Sequence, residues 1–360
     1  MGSQITIGVA STVKPCDGLG RSKALFFERM AMRARQMGAR LIVFHPEQMN
    51  LQKGIVTGYV LSPIFASTWT RQTLDMPDVL YDNVFVHLAV QGLVHPLRSH
   101  AKEHHIPLFN PSLPGKGAIT HFVSQISGTT MHVPQTKIVQ NESTVVDMMD
   151  RYRTVYVKPT GGYGGRGVLR LTSVPRGIRV ECDRFQGDKK LSAVLSNVDF
   201  HQFYQRVIAK RTHIVQEQIP LLQVDGANVD FRVVLGRDRQ GEWQVVGIVP
   251  KVAAKHGVVT NLVAGGHRLS MNDLAHVWGL ARTEEISDRL IRSAKVVSYA
   301  LSKRYKTFGL VGYDLGVDDS LNVWYIEMNP KPARRLLFPQ MRNKAGDLAV
   351  DFAYYLAQNR

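Results

Sequence analysis

Residues 155–168 read Val-Tyr-Val-Lys-Pro-Thr-Gly-Gly-Tyr-Gly-Gly-Arg-Gly-Val, and this stretch decides the fold. An apolar run ends in Lys158, five glycines follow within seven positions, and apolar alternation then resumes. Glycine tolerates positive φ and lets backbone N–H groups approach an anion closely. The stretch lacks Gly-Lys-Ser/Thr and opens no helix, which excludes a Walker A loop and a dinucleotide fingerprint. It predicts a glycine-rich flap between two antiparallel strands with Lys158 at a phosphate; the alternative is a flexible hairpin without a ligand.

A second polar cluster lies near the C-terminus, in two strand-like runs on either side of a turn signal at residues 318–320. A hairpin centred there places Asp314 opposite Glu327. Side chains alternate along a strand, so Glu327 and Asn329 share a face. Two carboxylates and an amide oxygen are hard ligands that suit Mg²⁺ together with phosphate. The alternative is a polar, solvated hairpin face, against which the apolar residues preceding Glu327 argue.

The segment between these clusters contains a strand, residues 215–219, that runs into a bend at Pro220. Backbone groups at the edge of such a bend are able to pair with an adenine ring. Further on, Asp230 and Arg232 share one face of a strand, and Arg232 is suited to stabilise charge on a transferring phosphoryl group. A purely structural Asp–Arg pair is the more common alternative. Lys251 follows on the next strand, and Asn261 precedes a Gly-Gly pair where the backbone permits close approach.

The order of predicted elements indicates a mixed fold class, α/β followed by α+β. A strand–helix–strand opening predicts a small parallel α/β unit that ends near residue 115, where Pro-Gly-Lys-Gly breaks the pattern. Beyond it, strands crowd together in hairpins. The predicted strands are residues 4–11, 40–45, 79–82, 154–158, 167–172, 213–219, 229–236, 243–253, 310–317 and 322–328, and the predicted helices are residues 22–38, 199–210 and 284–305.

The formal net charge of +16 is the unusual bulk property of the 360-residue chain. A positive field favours acidic ligands such as a nucleotide, a nucleic acid or an acidic peptide; a basic surface that only aids solubility is the alternative. The positive residues are scattered without a basic stripe, which argues against a nucleic-acid partner. No apolar run reaches the roughly 18 residues of a membrane span, and no secretory signal is evident. Two cysteines, Cys16 and Cys182, cannot form a disulfide framework, so the cytoplasm fits best.

Taken in order, these motifs resemble the ATP-grasp superfamily. They comprise a strand ending in Lys-Pro, a glycine-rich flap, a Gln-Glu hinge, Asp-x-Arg, an Asn before Gly-Gly, and Asp…Glu-x-Asn. Residues 76–82 and 261–266 are similar to the YheC/YheD branch, the endospore coat-associated proteins of Bacillus-like bacteria. The resemblance implies a pre-ATP-grasp domain at residues 1–115, an ATP-grasp N-terminal subdomain with the flap at 116–212, and a C-terminal subdomain with the Mg/ATP site at 213–360.

The resemblance also implies roles for individual residues, with ATP and Mg²⁺ as cofactors. The phosphates would be bound by Lys158 and the flap, the adenine by the hinge, and the ribose by Asp225. The implied ATP-binding residues are Lys158, Gly161, Gly162, Gly164, Gly165, Gln216, Glu217, Ile219 and Asp225. The implied catalytic residues are Arg232, Lys251 and Asn261, and the implied metal ligands are Asp314, Glu327 and Asn329.

One position departs from the pattern of the family. Many relatives carry a second nucleotide-binding lysine in an Asp-Lys-Trp-like segment, and by its spacing to Pro134 that segment here is Thr120-His121-Phe122. Neutral histidine is a weaker phosphate contact than lysine. The departure predicts either reduced ATP affinity or a replacement of the lysine by Lys116.

The activity that the resemblance implies is ATP-dependent ligation of a carboxylate to an amine through an acyl phosphate. The substrate would carry carboxylates, as an acidic peptide does, and spore coat proteins are implied partners in the mother cell or the coat. Ligases of this type are often homodimers. A catalytically degenerate scaffold and a phosphotransferase on the same fold are the alternatives that the sequence leaves open.

Overall fold

A computed structural model gives the architecture of the chain. It describes residues 4–15, 21–64, 68–84, 92–111, 116–127, 130–161 and 164–359, which leaves Cys16 and the predicted unit boundary at residue 115 outside. Within those ranges the chain forms three β-sheets and eight α-helices. None of the helices described there is both long and apolar enough to cross a membrane.

The first sheet has the strand order β3-β4-β2-β1-β6-β7, with β5 paired to β4. Its strands β2, β1, β6 and β7 are parallel, which confirms the predicted parallel α/β unit. The antiparallel strands β3 to β5 were not predicted, because the exposed β5 sequence Trp-Thr-Arg-Gln-Thr-Leu-Asp lacks an apolar period. The elements are β1 (Thr6–Ala10), α1 (Arg21–Gln36), β2 (Arg40–Phe44), β3 (Met49–Asn50), β4 (Ile55–Leu61), β5 (Trp69–Asp75), β6 (Val79–Asp82), α2 (His95–Glu103) and β7 (Leu108–Phe109).

The second sheet is antiparallel throughout, with the order β12-β11-β10-β9-β13-β8. Val155 and Val157 of β9 point into a core formed with helices α4 and α5. Because side chains alternate, Tyr156 and Lys158 lie on the opposite face. The elements are α3 (Lys116–Ser124), β8 (Thr136–Ile138), α4 (Glu142–Tyr152), β9 (Thr154–Pro159), β10 (Leu169–Val174), β11 (Gly177–Cys182), β12 (Leu191–Leu195), α5 (Asn197–Phe203), a π-helical turn (Tyr204–Ile208) and β13 (His213–Glu217).

The third sheet is also antiparallel, with the order β17-β16-β15-β18-β19 and β14 paired to β15. The helix predicted at residues 284–305 is present as α7, whose Ile286, Leu290, Ala294 and Leu301 are fully buried against this sheet. The elements are β14 (Gln223–Val224), β15 (Ala227–Arg237), β16 (Trp243–Val252), β17 (His267–Arg268), α6 (Met271–Trp278), α7 (Leu280–Arg304), β18 (Leu310–Val317), β19 (Val323–Asn329) and α8 (Pro339–Gln358).

Helix α8 and Asn110 join the third sheet to the first. Phe352 of α8 packs edge-on against Phe109 of β7, with ring centroids 5.5 Å apart. Asn110 is fully buried at a φ of 54° and bonds the backbone of Gly309 and Leu310 through its amide. The same amide donates to the carbonyl of Pro330 at 2.7 Å. The end of β7 is thereby fixed to the start of β18 and to the residue that follows β19.

The structure has a strand at each of the ten predicted positions. The sheets, however, divide the chain differently from the predicted units. Strand β13 pairs with β9 in the second sheet, although residue 213 was predicted to open the third unit. A crossing strand of this kind does not define a domain boundary, so the division at 115/116 and 212/213 stays a prediction.

Candidate nucleotide and metal site

The glycine-rich stretch lies between β9 and β10, which pair antiparallel as predicted. Gly164, Gly165 and Gly167 have φ values of 72°, 73° and 71°, a left-handed conformation that favours glycine. Gly161 is exposed, and Gly162 lies outside the described residues. The conformation of Gly164 to Gly167 therefore accounts for the three glycines there, because other residues would be strained.

The flap contacts a loop of the third sheet. A Cβ atom on Gly165 would lie 2.9 Å from Cγ2 of Val259, so only glycine allows this approach. Asp183, just after β11, accepts hydrogen bonds through Oδ2 from the backbone N–H groups of Val258 at 2.7 Å and Val259 at 2.9 Å. Arg184 donates to the carbonyl of Gly164 at 2.9 Å. Asp183 and Arg184 thus hold the flap and residues 258–259 together.

Lys158 and Gln216 meet on the face of the second sheet that lies opposite its core. Lys158 Nζ donates to Gln216 Oε1 at 2.5 Å, and Gln216 Nε2 donates to Thr136 Oγ1 at 3.0 Å. Tyr156 shares this face and lies near Lys158, with Nζ 5.7 Å from the ring centroid. The structure therefore brings the predicted phosphate lysine and the predicted hinge together.

Three predicted ATP-binding residues remain, namely Glu217 and Ile219 of the hinge and Asp225. Glu217 accepts from the backbone N–H of Gln135 at 2.8 Å, and Ile219 is buried. Asp225 occupies the exposed turn between β14 and β15 at a φ of 49°. The ribose contact of Asp225 stays a prediction.

Four charged side chains form a buried cluster on β15, β16 and β18. Arg232 donates to both carboxylate oxygens of Asp314, at 2.6 and 2.8 Å. Lys251 Nζ lies 2.8 Å from Asp230 and 3.1 Å from Asp314. Thr260 Oγ1 donates to Asp230, which links the cluster to the loop that contacts the flap. The strand register accounts for the arrangement, because Arg232 is paired with Asp314 and Asp230 with Lys251.

The cluster shifts the pKa values of its members in different directions. Burial opposes the charged form of Asp314, but Arg232 and Lys251 outweigh burial and hold the pKa of Asp314 far below its usual value. Burial likewise opposes a charged Arg232, and Asp314 raises the pKa of Arg232 well above its usual value. For Asp230, burial outweighs the attraction of Lys251, and the pKa is raised. Arg232 and Asp314 are therefore kept ionised.

One donor of this cluster has no partner within the described chain. Nη1 of Arg232 is buried and makes no hydrogen bond there. It lies over Gly312, where a Cβ would come within 3.0 Å of Arg232 Cδ and 3.6 Å of Nη1. A buried donor without a partner costs roughly 1–3 kcal/mol, and an oxyanion placed beside it would supply the missing acceptor.

The predicted metal ligands are neighbours on the β18–β19 hairpin. Asp314 is paired with Glu327 as predicted, and Gly312 with Asn329, whose Oδ1 accepts from the Lys331 N–H at 3.1 Å. In the described ranges no cluster of three or more His, Cys, Asp or Glu side chains is placed to hold a metal. The donor set is therefore two carboxylates and one amide. Such a set would suit Mg²⁺, which keeps several waters or phosphate oxygens in its coordination shell, while Arg232 already bonds both oxygens of Asp314.

Asn261 lies beneath the flap, whereas His121 is exposed. The Cβ of Asn261 is 3.8 Å from the position of a Cβ on Gly165, and its side chain accepts from the Val263 N–H. His121 lies on α3, and the Lys116 side chain is outside the described part of the structure. Whether Lys116 replaces the nucleotide-binding lysine that is absent at position 121 therefore stays a prediction.

Sequence reasoning missed several residues of the site, namely Thr136, Tyr156, Asp183, Arg184 and Thr260. Tyr156 was detectable, because it stands two positions before Lys158 on a strand. Asp183 and Thr260 carry no local signal, since their partners are 75 and 30 residues away in the chain.

The chain belongs to the YheC/D-like ATP-grasp family, whose model matches residues 105–356. The endospore coat-associated protein YheD of Bacillus subtilis (strain 168) is 25% identical over 349 residues, covering 94% of this chain and 75% of YheD. The D-cycloserine synthetase DcsG has a TM-score of 0.53 at 13% identity, covering 99% of both chains. A RiPP-associated ATP-grasp ligase of Chryseobacterium gregarium, in complex with ADP and a leader and core peptide, has a TM-score of 0.52 at 11% identity, covering 97% of this chain and 96% of that one.

These comparisons confirm the predicted family and the predicted ATP-grasp fold. At 13% and 11% identity, the two solved structures establish the fold alone.

Proposed function

We propose that the protein is an ATP-dependent carboxylate–amine ligase that acts through an acyl phosphate. The observation that carries this proposal is the buried Arg232–Asp314 pair with Nη1 of Arg232 left without an acceptor. A fixed guanidinium with one unsatisfied donor, held in a low-dielectric site, is suited to charge that develops on a phosphoryl group. The proposed reaction requires no nucleophilic side chain of the protein, because positioning and electrostatics carry this class of reaction.

The nucleotide would lie between the flap and the third sheet. Lys158, Gly161, Gly164 and Gly165 would bind its phosphates, while Gln216, Glu217 and Ile219 would line the adenine pocket. Asp314, Glu327 and Asn329 would hold Mg²⁺, which neutralises phosphate charge when bound. Lys251 and Asn261 would complete the phosphate side. Support comes from the hydrogen bond of Lys158 to Gln216 and from the position of Asn261 close to Gly165 of the flap.

The reaction would proceed in two displacements. A carboxylate oxygen of the substrate attacks the γ-phosphorus of ATP, the bond to the β–γ bridging oxygen breaks, and ADP departs. An amine nitrogen then attacks the acyl carbon, the bond to the phosphate oxygen breaks, and the nitrogen loses a proton as inorganic phosphate leaves. Arg232 would stabilise the equatorial oxygens in the first step and the leaving phosphate in the second.

We further propose an acidic peptide or protein as the carboxylate substrate. The formal net charge of +16 favours such a partner, and a peptide is bound by the Chryseobacterium ligase. The coat-associated name of YheD supports a spore coat protein as partner, in the mother cell or the coat. A homodimer and the division into units at residues 1–115, 116–212 and 213–360 are part of the same proposal.

The test is ADP release from MgATP with amino acids and acidic peptides, comparing the wild type with Glu327→Gln. We expect turnover that needs both a carboxylate and an amine and falls at least about 100-fold in the variant, as for loss of one electrostatic group in a transition state. Glu284→Gln, an exposed site on α7, is the matched control and should behave as wild type. Turnover with a hydroxyl acceptor would show a phosphotransferase. Nucleotide binding without turnover of any substrate would favour a catalytically degenerate scaffold.

A further inference from the structure

Arg334 is a cation that has no paired carboxylate among the described residues. It follows Asn329 by five residues and opens a short 3₁₀ turn, Arg334–Leu336. Its guanidinium lies over the rings of Phe26 and Phe27, at 4.3 and 5.7 Å from their centroids. Its one hydrogen bond within the described chain runs from Nη1 to Asn83 Oδ1 at 3.0 Å. Burial lowers the pKa of Arg334, and among the described residues only Tyr81 opposes that shift.

The nearby acid, Asp82, is already neutralised by other residues. Asp82 is fully buried and is bonded by Arg98 at Oδ2 and by Lys331, whose Nζ lies 2.5 Å from Oδ1. Lys331 also donates to the carbonyl of Val84. Two cations therefore surround one carboxylate, and Arg334 adds a third positive charge that nothing in the described structure balances.

Asn83 presents a second unsatisfied group at the same place. Its Oδ1 accepts from Arg334, while its Nδ2 is buried and has no hydrogen-bond partner in the described chain. A half-desolvated guanidinium beside a buried amide N–H₂ is costly unless an acceptor joins them. Both groups are donors, so an anion satisfies both, and a planar carboxylate matches the fork of a guanidinium.

Hydrogen bonds connect the region of these two donors to the β18–β19 hairpin, which carries the predicted metal ligands. Asn83 follows β6 at the carboxyl end of the parallel strands, the edge where open α/β sheets bind ligands. The segment from Asn329 to Arg334 is fixed to that edge, because Pro330 is bonded to Asn110 and Lys331 to Asp82. An anion held by Arg334 and Asn83 therefore lies at the junction of the first sheet with the end of β19.

We propose that Arg334 and Asn83 bind a carboxylate of the substrate and orient it next to the phosphoryl-transfer site. This inference rests on the proposed ligase function. It names residues that bind the substrate, whereas the residues named so far bind ATP and Mg²⁺. The aromatic rings beneath Arg334 exclude water from one face of the guanidinium and so strengthen its bonds to an anion. Phosphate offers the same acceptor chemistry, and the experiment distinguishes the two.

The test is calorimetric binding, at low ionic strength, of an acetylated and amidated triglutamate peptide, its triglutamine analogue and inorganic phosphate. Arg334→Met keeps an unbranched apolar side chain beside Phe26 and Phe27 and removes the charge. We expect it to weaken triglutamate binding roughly 10- to 100-fold, the range for loss of a charge-assisted pair. Arg335→Met removes the same charge from the exposed neighbour and should change binding less than about twofold.

Asn83→Asp gives the second arm, because it places a carboxylate of nearly the same shape beside Arg334. We expect triglutamate binding to be lost while the thermal midpoint rises, since the guanidinium then has a counter-ion. Equal weakening in Arg334→Met and Arg335→Met would overturn the proposal in favour of a diffuse field. Phosphate binding that depends on Arg334 without triglutamate binding would overturn the carboxylate assignment. MgADP binding, measured in every variant, should persist; its absence in the wild type would refute the ligase proposal and leave the anion result standing.

Discussion

Arg232 and Asp314 bond each other through two parallel hydrogen bonds across β15 and β18. The sequence predicts one as a phosphate ligand and the other as a metal ligand, whereas the structure makes them one buried unit. Lys251 contacts the same carboxylate at 3.1 Å. Asp314 therefore contacts both cations, and changes at this residue act on the whole cluster.

Replacing Asp314 by Asn should destabilise the fold as well as the site. Arg232 and Lys251 are 7% and 4% exposed, so the change leaves a surplus of positive charge in the interior. Breaking a buried pair by removing one partner costs about 3–5 kcal/mol. Urea unfolding measures this loss. Asp319→Asn, at a side chain that is 96% exposed, removes the same charge and should cost less than about 0.5 kcal/mol; equal losses would contradict a special role for the cluster.

Stability should decrease as the pH falls below about 7, and His213 should contribute to that decrease. Burial lowers the pKa of His213, and this effect outweighs the hydrogen bonds to the backbone of Arg211 and Ile208, which raise the pKa. A depressed folded-state pKa means that the neutral form is favoured on folding. Its contribution is full above the unfolded pKa of about 6.5 and is lost as the pH falls towards the folded value.

His213→Gln should reduce the slope of unfolding free energy against pH between about 7 and 5, measured by urea titration. His267→Gln, at an exposed position, is the control and should leave the slope unchanged. If both variants keep the wild-type slope, the pH dependence arises from other groups.

The positions of ten strands, the pairing across β18 and β19 and the fold class could be predicted from the sequence, because local alternation and turn signals determine them. Asp314 opposite Glu327 is such a case. Asp183, Asn110 and Thr260 could not be predicted, since each bonds atoms that are distant in the chain and no local pattern indicates which. The antiparallel β4–β5 pair was missed for a different reason: it is exposed and polar on β5.

Asp183→Ala should weaken the joining of the flap to residues 258–259. Oδ2 of Asp183 accepts from two backbone N–H groups, and its loss leaves both without that acceptor. We expect faster hydrogen exchange at these amides and, if ATP binds beneath the flap, a roughly tenfold higher KM for ATP, equivalent to about 1.4 kcal/mol, with a smaller change in kcat.

Asp183→Asn retains one oxygen able to accept both bonds and should restore most of the protection at Val258 and Val259. Asp147→Asn, exposed on α4, is the control for general stability. Exchange at these amides that is unchanged in Asp183→Ala would show that Asp183 does not hold the loop.

Gly165→Ala tests the close approach of the flap independently of charge. The new methyl group would lie 2.9 Å from Cγ2 of Val259, and the φ of 73° is unfavourable for alanine. Gly38 has the same conformation, with a φ of 72°, but no atom within 4 Å of a built Cβ. Both substitutions therefore share the backbone cost of roughly 1 kcal/mol, and only Gly165→Ala adds a steric conflict with the loop.

We expect Gly38→Ala to lower thermal stability slightly and leave nucleotide affinity unchanged, whereas Gly165→Ala weakens MgADP binding roughly tenfold, about 1.4 kcal/mol. The double variant Gly165→Ala, Val259→Ala removes the opposing methyl groups and should recover most of the affinity, because the two changes are coupled through one contact. Additive losses in the double variant would mean that the flap acts without this contact. Calorimetry with MgADP on the wild type, these three variants and the single variant Val259→Ala decides between these outcomes.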